Sequence, residues 1–282
     1  MSFVQNYYGL LRVQILLLLA YLNAIYSFNI DSEGCGSTKS CLIKPTGCKP
    51  DQDCTLFVKF DVDGKNLLHI QMAALTIIPL VPLQYIAVGF SNDKLMGDDM
   101  VIECVVSTDS QYGYFEPEVY TSYNYKASND RTYLSEWDRQ IYFRNISGGV
   151  VDEIVHCEFW VQIIPQIVNS SNRTWNLNKE YYILAATGTA QPDELNAHDT
   201  SAGSYFYPIV SDVQINPAKT GSVLHDLSDV QRRYSNRTVD HTPLKAHTAK
   251  QPTSSAVSLL QIYTLDIKVL FLVLLLTHII TS

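Results

Sequence analysis

Six cysteines carry the most legible chemistry in this sequence. Cys35, Cys41, Cys48 and Cys54 crowd into twenty residues, while Cys104 and Cys157 stand apart. An even number of cysteines in an oxidising compartment reads as disulfides. Four so close together could instead hold zinc, but no CxxC pair and no neighbouring histidine supports that, so disulfides are expected. Cys104 and Cys157 lie in strand-like runs and are expected to pair across the sheets. The other four pair among themselves in one of three ways. His225, His241 and His247 share one polar stretch but follow no ligand spacing. Asp98 and Asp99 are adjacent, so on a strand their carboxylates point to opposite faces. A solvated turn is expected there rather than a cation site. GxSxG, HExxH, a phosphate-cradling glycine loop and a dinucleotide fingerprint are all missing.

The oxidising compartment follows from the ends of the chain. Arg12 is the only charged residue before Asp31, and an apolar run over residues 13–22 leads to Ala24 and Ser27. This reads as a signal peptide over residues 1–27, its apolar run being shorter than a membrane span. Residues 269–280 are apolar again; extending them upstream takes in Lys268 and Asp266, and no basic residue follows. Thr253, Ser254, Ser255 and Ala256 supply the small residues of a GPI-attachment signal, with Ser254 as the lipid acceptor. Residues 256–282 are then a GPI propeptide or, alternatively, a short membrane anchor. Either way the membrane is a partner and the bulk of the chain faces outward. Without Arg12, Lys268 and Asp266 the chain has 18 basic and 27 acidic residues, an excess that argues against nucleic acid as a partner. Sequons at Asn145, Asn169, Asn172 and Asn236 predict surface glycans.

These residues need a scaffold, and the intervening pattern supplies one. Short apolar runs separated by turn residues predict strands over 56–62, 67–74, 85–90, 100–106, 140–144, 153–163, 181–186 and 205–210. The clearest is the sixth, where Val155, Cys157, Phe159, Val161 and Ile163 alternate with His156, Glu158, Trp160 and Gln162. His156 therefore belongs to the face turned toward solvent or a glycan. No run sustains a helical period. Such a pattern indicates an all-β, antiparallel β-sandwich. Residues 28–54 form a cysteine-rich lead-in packed on it, residues 55–211 the sandwich domain, and residues 212–255 a Ser/Thr-rich stalk.

One stretch carries a family resemblance. After the strand ending Gly89-Phe90-Ser91 comes Met96-Gly97-Asp98-Asp99, then a second apolar strand ending in Glu103-Cys104. This resembles the DOMON domain family, and within it the ferric-chelate reductase group and its short single-DOMON relatives. Cys157-Glu158-Phe159, the run Tyr181 to Gly188, and His198-Asp199 match later features of that group. The resemblance covers about residues 35–210.

The resemblance implies a haem b cofactor held without covalent bonds, with Met96 and His198 as axial ligands to the haem iron. Thioether sulfur and imidazole nitrogen are good axial donors, and sulfur favours the ferrous state. A sandwich could bring the two loops together at one rim, and Gly97 would let the macrocycle lie close to the backbone. His69 and His156 match no ligand position. The chain has no multi-helix transmembrane cytochrome core, so it is expected to be an electron-transfer or binding module and not an enzyme by itself. Its partner would be a small extracellular reductant or oxidant, or a membrane redox protein. The alternative is a haem-free interaction module, either an accessory protein for a membrane receptor or a glycan binder, with the Tyr-rich stretch 112–125 as a contact surface.

Overall fold

The computed structural model describes residues 30–108, 117–167, 173–219, 221 and 223–224, together with residue 14. The signal peptide, Asn169, Asn172, Asn236, the three stalk histidines, Ser254 and the C-terminal apolar run lie outside them. Among the described residues, no helix is long and apolar enough to cross a membrane.

Among the described residues, twelve strands form two six-stranded sheets. β1 (Ser40–Lys44), β2 (Leu56–Val62), β3 (Leu67–Leu75), β8 (Phe143–Val151), β9 (Ile154–Gln162) and β12 (Val223–Leu224) make the first, in the order β12-β1-β2-β3-β9-β8. β4 (Leu83–Ser91), β5 (Asp99–Ser107), β6 (Glu118–Tyr125), β7 (Ser128–Thr132), β10 (Tyr182–Thr189) and β11 (Ile209–Val210) make the second, ordered β11-β10-β4-β5-β6-β7. All pairings are antiparallel except β1 with β12. The chain is therefore the all-β sandwich that its alternation predicts.

Period-two patterning explains the packing. Val58, Phe60, Ile70 and Met72 of the first sheet meet Ile86, Val88, Phe90, Met100 and Ile102 of the second in one buried core. Each side chain of this size stabilises by about 1.5–3 kcal/mol on leaving water. Cys104 and Cys157, both fully buried, join β5 to β9 through that core. The first four cysteines pair as Cys35–Cys41 and Cys48–Cys54. With both its thiols in a disulfide, the cluster of Cys48, Asp53 and Cys54 offers no thiolate to a metal.

Four features depart from the sequence reading. Of the predicted strand over 140–144, only Phe143 and Arg144 are strand, at the start of β8: Glu136–Tyr142 form a short helix, α1, before it. Its start is fixed by Ser135, whose Oγ accepts from the Asp138 amide, with Glu136 and Asp138 in the first turn where the helix dipole favours them. Of the predicted strand over 205–210, only Ile209 and Val210 pair. The sandwich also continues past residue 211, since Ile215 bridges Tyr181 and Leu224 is buried against β1. Finally, residues 118–125 are an interior strand with Val119, Thr121, Ser122 and Asn124 buried, which leaves Tyr125 as its exposed tyrosine.

Candidate functional site

The two outer faces of the sandwich follow from which residues the core does not take. On the second sheet, Tyr85, Ala87 and Gly89 of β4 point outward beside Val101 and Glu103 of β5 and Leu184, Ala186 and Gly188 of β10. Most are small, and together with Leu83 and Val105 they make a shallow apolar floor packed by Ala190 and Leu195. Gly188 has no side chain because the Tyr85 ring occupies the space; a Cβ there would stand 2.7 Å from the ring.

Met96 lies in the β4–β5 turn at one end of this floor and is 39% exposed. Its turn is pinned by Asp99, whose Oδ2 accepts from the Gly97 amide at 2.7 Å and from Asn124 at 3.3 Å. Asp99 is fully buried, and burial raises its carboxyl above the ordinary range. The solvated turn expected at this position thus applies to Asp98 alone, since Asp99 is an internal anchor. Gly97 is also explained differently. Its φ is +135°, and a Cβ would lie 3.2 Å from the Lys126 backbone, so the glycine serves the neighbouring β6–β7 turn.

His198 lies beyond the other end. β10 runs antiparallel to β4, with Tyr182 opposite Ser91 and Thr189 opposite Gln84. The Met96 turn leaves at Ser91 and the His198 segment at Thr189, roughly 24 Å apart at about 3.4 Å per residue. The strand ends therefore do not bring the two loops to one rim, and a single ligand bound by both side chains requires the loops to fold toward each other. The half-buried His198 has Nδ1 at 3.1 Å from the Asp199 carbonyl. A carbonyl only accepts, so Nδ1 is the donor of this contact and Nε2 is the ring nitrogen left to face a ligand.

The segment before His198 is clamped to the sheet by Arg131, which the sequence did not single out, and by Glu103, which it marked only as part of the family resemblance. Arg131 on β7 donates through Nε and Nη2 to both oxygens of Glu103, at 3.1 and 3.0 Å, and through Nη1 to the Pro192 carbonyl at 2.8 Å. Its guanidinium also lies over the Tyr120 ring. Glu103 is completely buried; burial raises its carboxyl, and the bonds to Arg131 oppose that rise. Tyr133 donates to the Asp193 carbonyl, Leu195 joins the apolar floor, and Asn196 is tied to Thr189 by its amide and side chain. Residues 190–196 are thereby a fixed strap. Register alone brings Glu103 and Arg131 together, 28 positions apart, so no local pattern could have paired them.

The first sheet's outer face is different. Ile30, Cys41, Cys48 and Cys54 of the lead-in cover Phe57, Ala73 and Ile154. Beside them, Glu158 accepts from Gln71 at 2.9 Å and Ser147 at 3.0 Å and faces His69 Nε2 at 3.4 Å. Led by His69, these partners hold the Glu158 carboxyl down at about 2. His69 stacks flat on Trp160 with ring centres 3.8 Å apart. His156, expected at solvent, is buried on this face, and burial lowers its pKa. Asn145 is exposed at the irregular start of β8.

No protein-family model matches the chain. It is 30% identical over 169 residues to a protein described as putative ferric-chelate reductase 1 homolog of Drosophila melanogaster, covering 59% of this chain and 24% of that protein. It is 29% identical over 171 residues to the putative ferric-chelate reductase 1 of Xenopus laevis, covering 60% and 25%. It is 26% identical over 176 residues to the ferric-chelate reductase 1 of Bos taurus, covering 61% and 25%. The chain spans about a quarter of the length of these relatives. Over about 60% of its length, this disulfide-bonded β-sandwich chain is related to proteins named ferric-chelate reductase 1.

Proposed function

We propose that this chain is a cell-surface DOMON module that holds haem b between Met96 and His198 and relays single electrons outside the cell. The observation that carries the reading is the His198 ring: its Nδ1–H is given to the Asp199 carbonyl, which leaves Nε2 as the donor an iron requires. Two further features support it. Met96 is partly exposed on a turn anchored by Asp99. The relatives that match are named reductases.

When bound, haem supplies a one-electron couple, and a soft sulfur ligand raises its potential. The residues of this chain hold and orient. Asp99 fixes the Met96 turn, Arg131 with Glu103 fixes the strap before His198, and Asp199 fixes the imidazole tautomer. The partner would be a small extracellular reductant or oxidant or a membrane redox protein, with Ser254 as the attachment point of a GPI anchor and glycans on Asn145.

A haem-free reading, in which the module binds a receptor or a glycan, has one observation in its favour. Asp61, His69, Trp160 and Arg144 form a row across the outer face of the first sheet, partly or fully exposed, where an aromatic platform meets polar groups. Visible spectra of the protein produced with haem supplied separate the two readings. A sharp Soret band with narrow low-spin α and β bands on reduction, altered in both Met96→Ala and His198→Ala, is the expected result. A folded but colourless protein would remove the haem reading.

A further inference from the structure

A cavity of about 30 Å³ lies where β7 leaves the edge of β6 and α1 begins, lined by Thr121, Thr132, Arg139 and the side chains of Val119, Leu134 and Phe143, with Tyr120 and Tyr133 at its margin. Thr121 and Thr132 are directly opposed across the β6–β7 pair. Both hydroxyls are buried without a hydrogen-bond partner, and so is the Nε of Arg139. Buried polar groups are almost always paired, so three orphans lining one cavity mark a missing ligand.

The donor set defines that ligand. Arg139 Nε–H can only donate, and each threonine hydroxyl is free to donate. No carboxylate lines the cavity. The acids around it are already engaged: Glu118 accepts from Tyr120, Glu136 from Gln140, and Asp138 from Ser135. Arg139 forms no ion pair among the described residues. A buried N–H without an acceptor is costly, and an anion beside the Arg139 Nε would supply one. The volume holds about two water-sized spheres, too little for a phosphate or an organic acid.

We propose that this cavity is a binding site for a small monovalent inorganic anion of chloride size, held by Arg139, Thr121 and Thr132. The site is on the inner side of the β6–β7 edge, whereas the floor between Met96 and His198 is on the outer side of the same sheet. It stands independently of haem.

Thermal unfolding of the purified haem-free protein tests it, with sodium chloride exchanged for sodium gluconate at constant ionic strength. A site with a dissociation constant of about 10 mM raises Tm by roughly 4 °C at 100 mM chloride, along a saturating curve. Arg139→Gln and Thr121→Val should each flatten that curve. Thr121→Val keeps the shape of the side chain and carries the test if Arg139→Gln fails to fold. A wild-type Tm indifferent to chloride, or an unchanged saturating response in the folded variants, would overturn the proposal and leave water as the occupant.

Discussion

On the outer face of the first sheet, Phe57, Ala73 and Ile154 vanish beneath Cys41, Cys48 and Cys54, and Glu158 has its oxygens satisfied by Gln71 and Ser147. On the outer face of the second sheet, Ala87 and Val101 lie between two loops, and the charges are gathered at one clamp, Glu103 with Arg131. The same period-two alternation thus produces one face closed by a lead-in shaped by its own disulfides and another closed by a strap held through polar bonds. Cys35–Cys41 ties the lead-in's start to β1 and Cys48–Cys54 closes its last loop, so the cover is preformed and packs on the sheet through apolar contact. The strap is held by hydrogen bonds from Arg131, Tyr133 and Asn196 and by the packing of Leu195, all of them reversible, which suits the ligand face proposed for this sheet.

Breaking the clamp should have the largest effect. Arg131→Gln leaves Glu103 buried without its cation and should cost about 3–5 kcal/mol, read by chemical denaturation, with faster hydrogen exchange in residues 190–196. The double change Glu103→Leu with Arg131→Met should recover much of that stability without restoring the Pro192 contact.

The first sheet's counterpart is Glu158. Its carboxyl titrates at about 2 in the folded chain, against an ordinary value of 4.5. The unfolded chain takes up the proton first as pH falls. The stabilisation is therefore complete above about pH 4.5 and disappears through pH 2. Glu158→Gln should cost on the order of 2 kcal/mol at pH 7 and nothing well below pH 2, and acid titrations of the two proteins should converge.

Gly97→Ala probes the Met96 turn. A Cβ at φ +135° meets the Lys126 backbone, and the expected loss is about 1–2 kcal/mol. If haem is bound, the low-spin bands should also weaken, which no change at Glu158 should cause. The smallest effect is a gain. Asp152 and Glu153 both adopt positive φ in the β8–β9 turn, so Glu153→Gly should stabilise by about 0.5–1 kcal/mol in thermal unfolding, provided that the Glu153 carbonyl keeps its bond to the Thr76 amide.

Elements were legible where one face is uniformly apolar. β9 shows its alternation outright, and β2 begins and ends where its residues predict. β6, β7 and most of β8 escaped because their outward residues are largely polar or glycine and their inward ones include Thr121, Thr132 and Gly148, so no hydrophobic period stands out. The helix start had a signal in Ser135 followed by Asp138, but seven residues are too few to show a period. His156 was misplaced because alternation tells which face a residue is on, not whether the lead-in covers that face. The clamp escaped for a different reason: Glu103 and Arg131 meet only once β5, β6 and β7 are in register.

The central claim is that the second sheet's outer face, between the Met96 turn and the His198 strap, is the ligand face. Hydrogen exchange of the protein with and without added haem tests this most directly. The account predicts new protection confined to residues 92–103 and 184–204, with β3 and β9 unchanged. Protection appearing on β3 and β9 instead, or nowhere while haem binds, would contradict it.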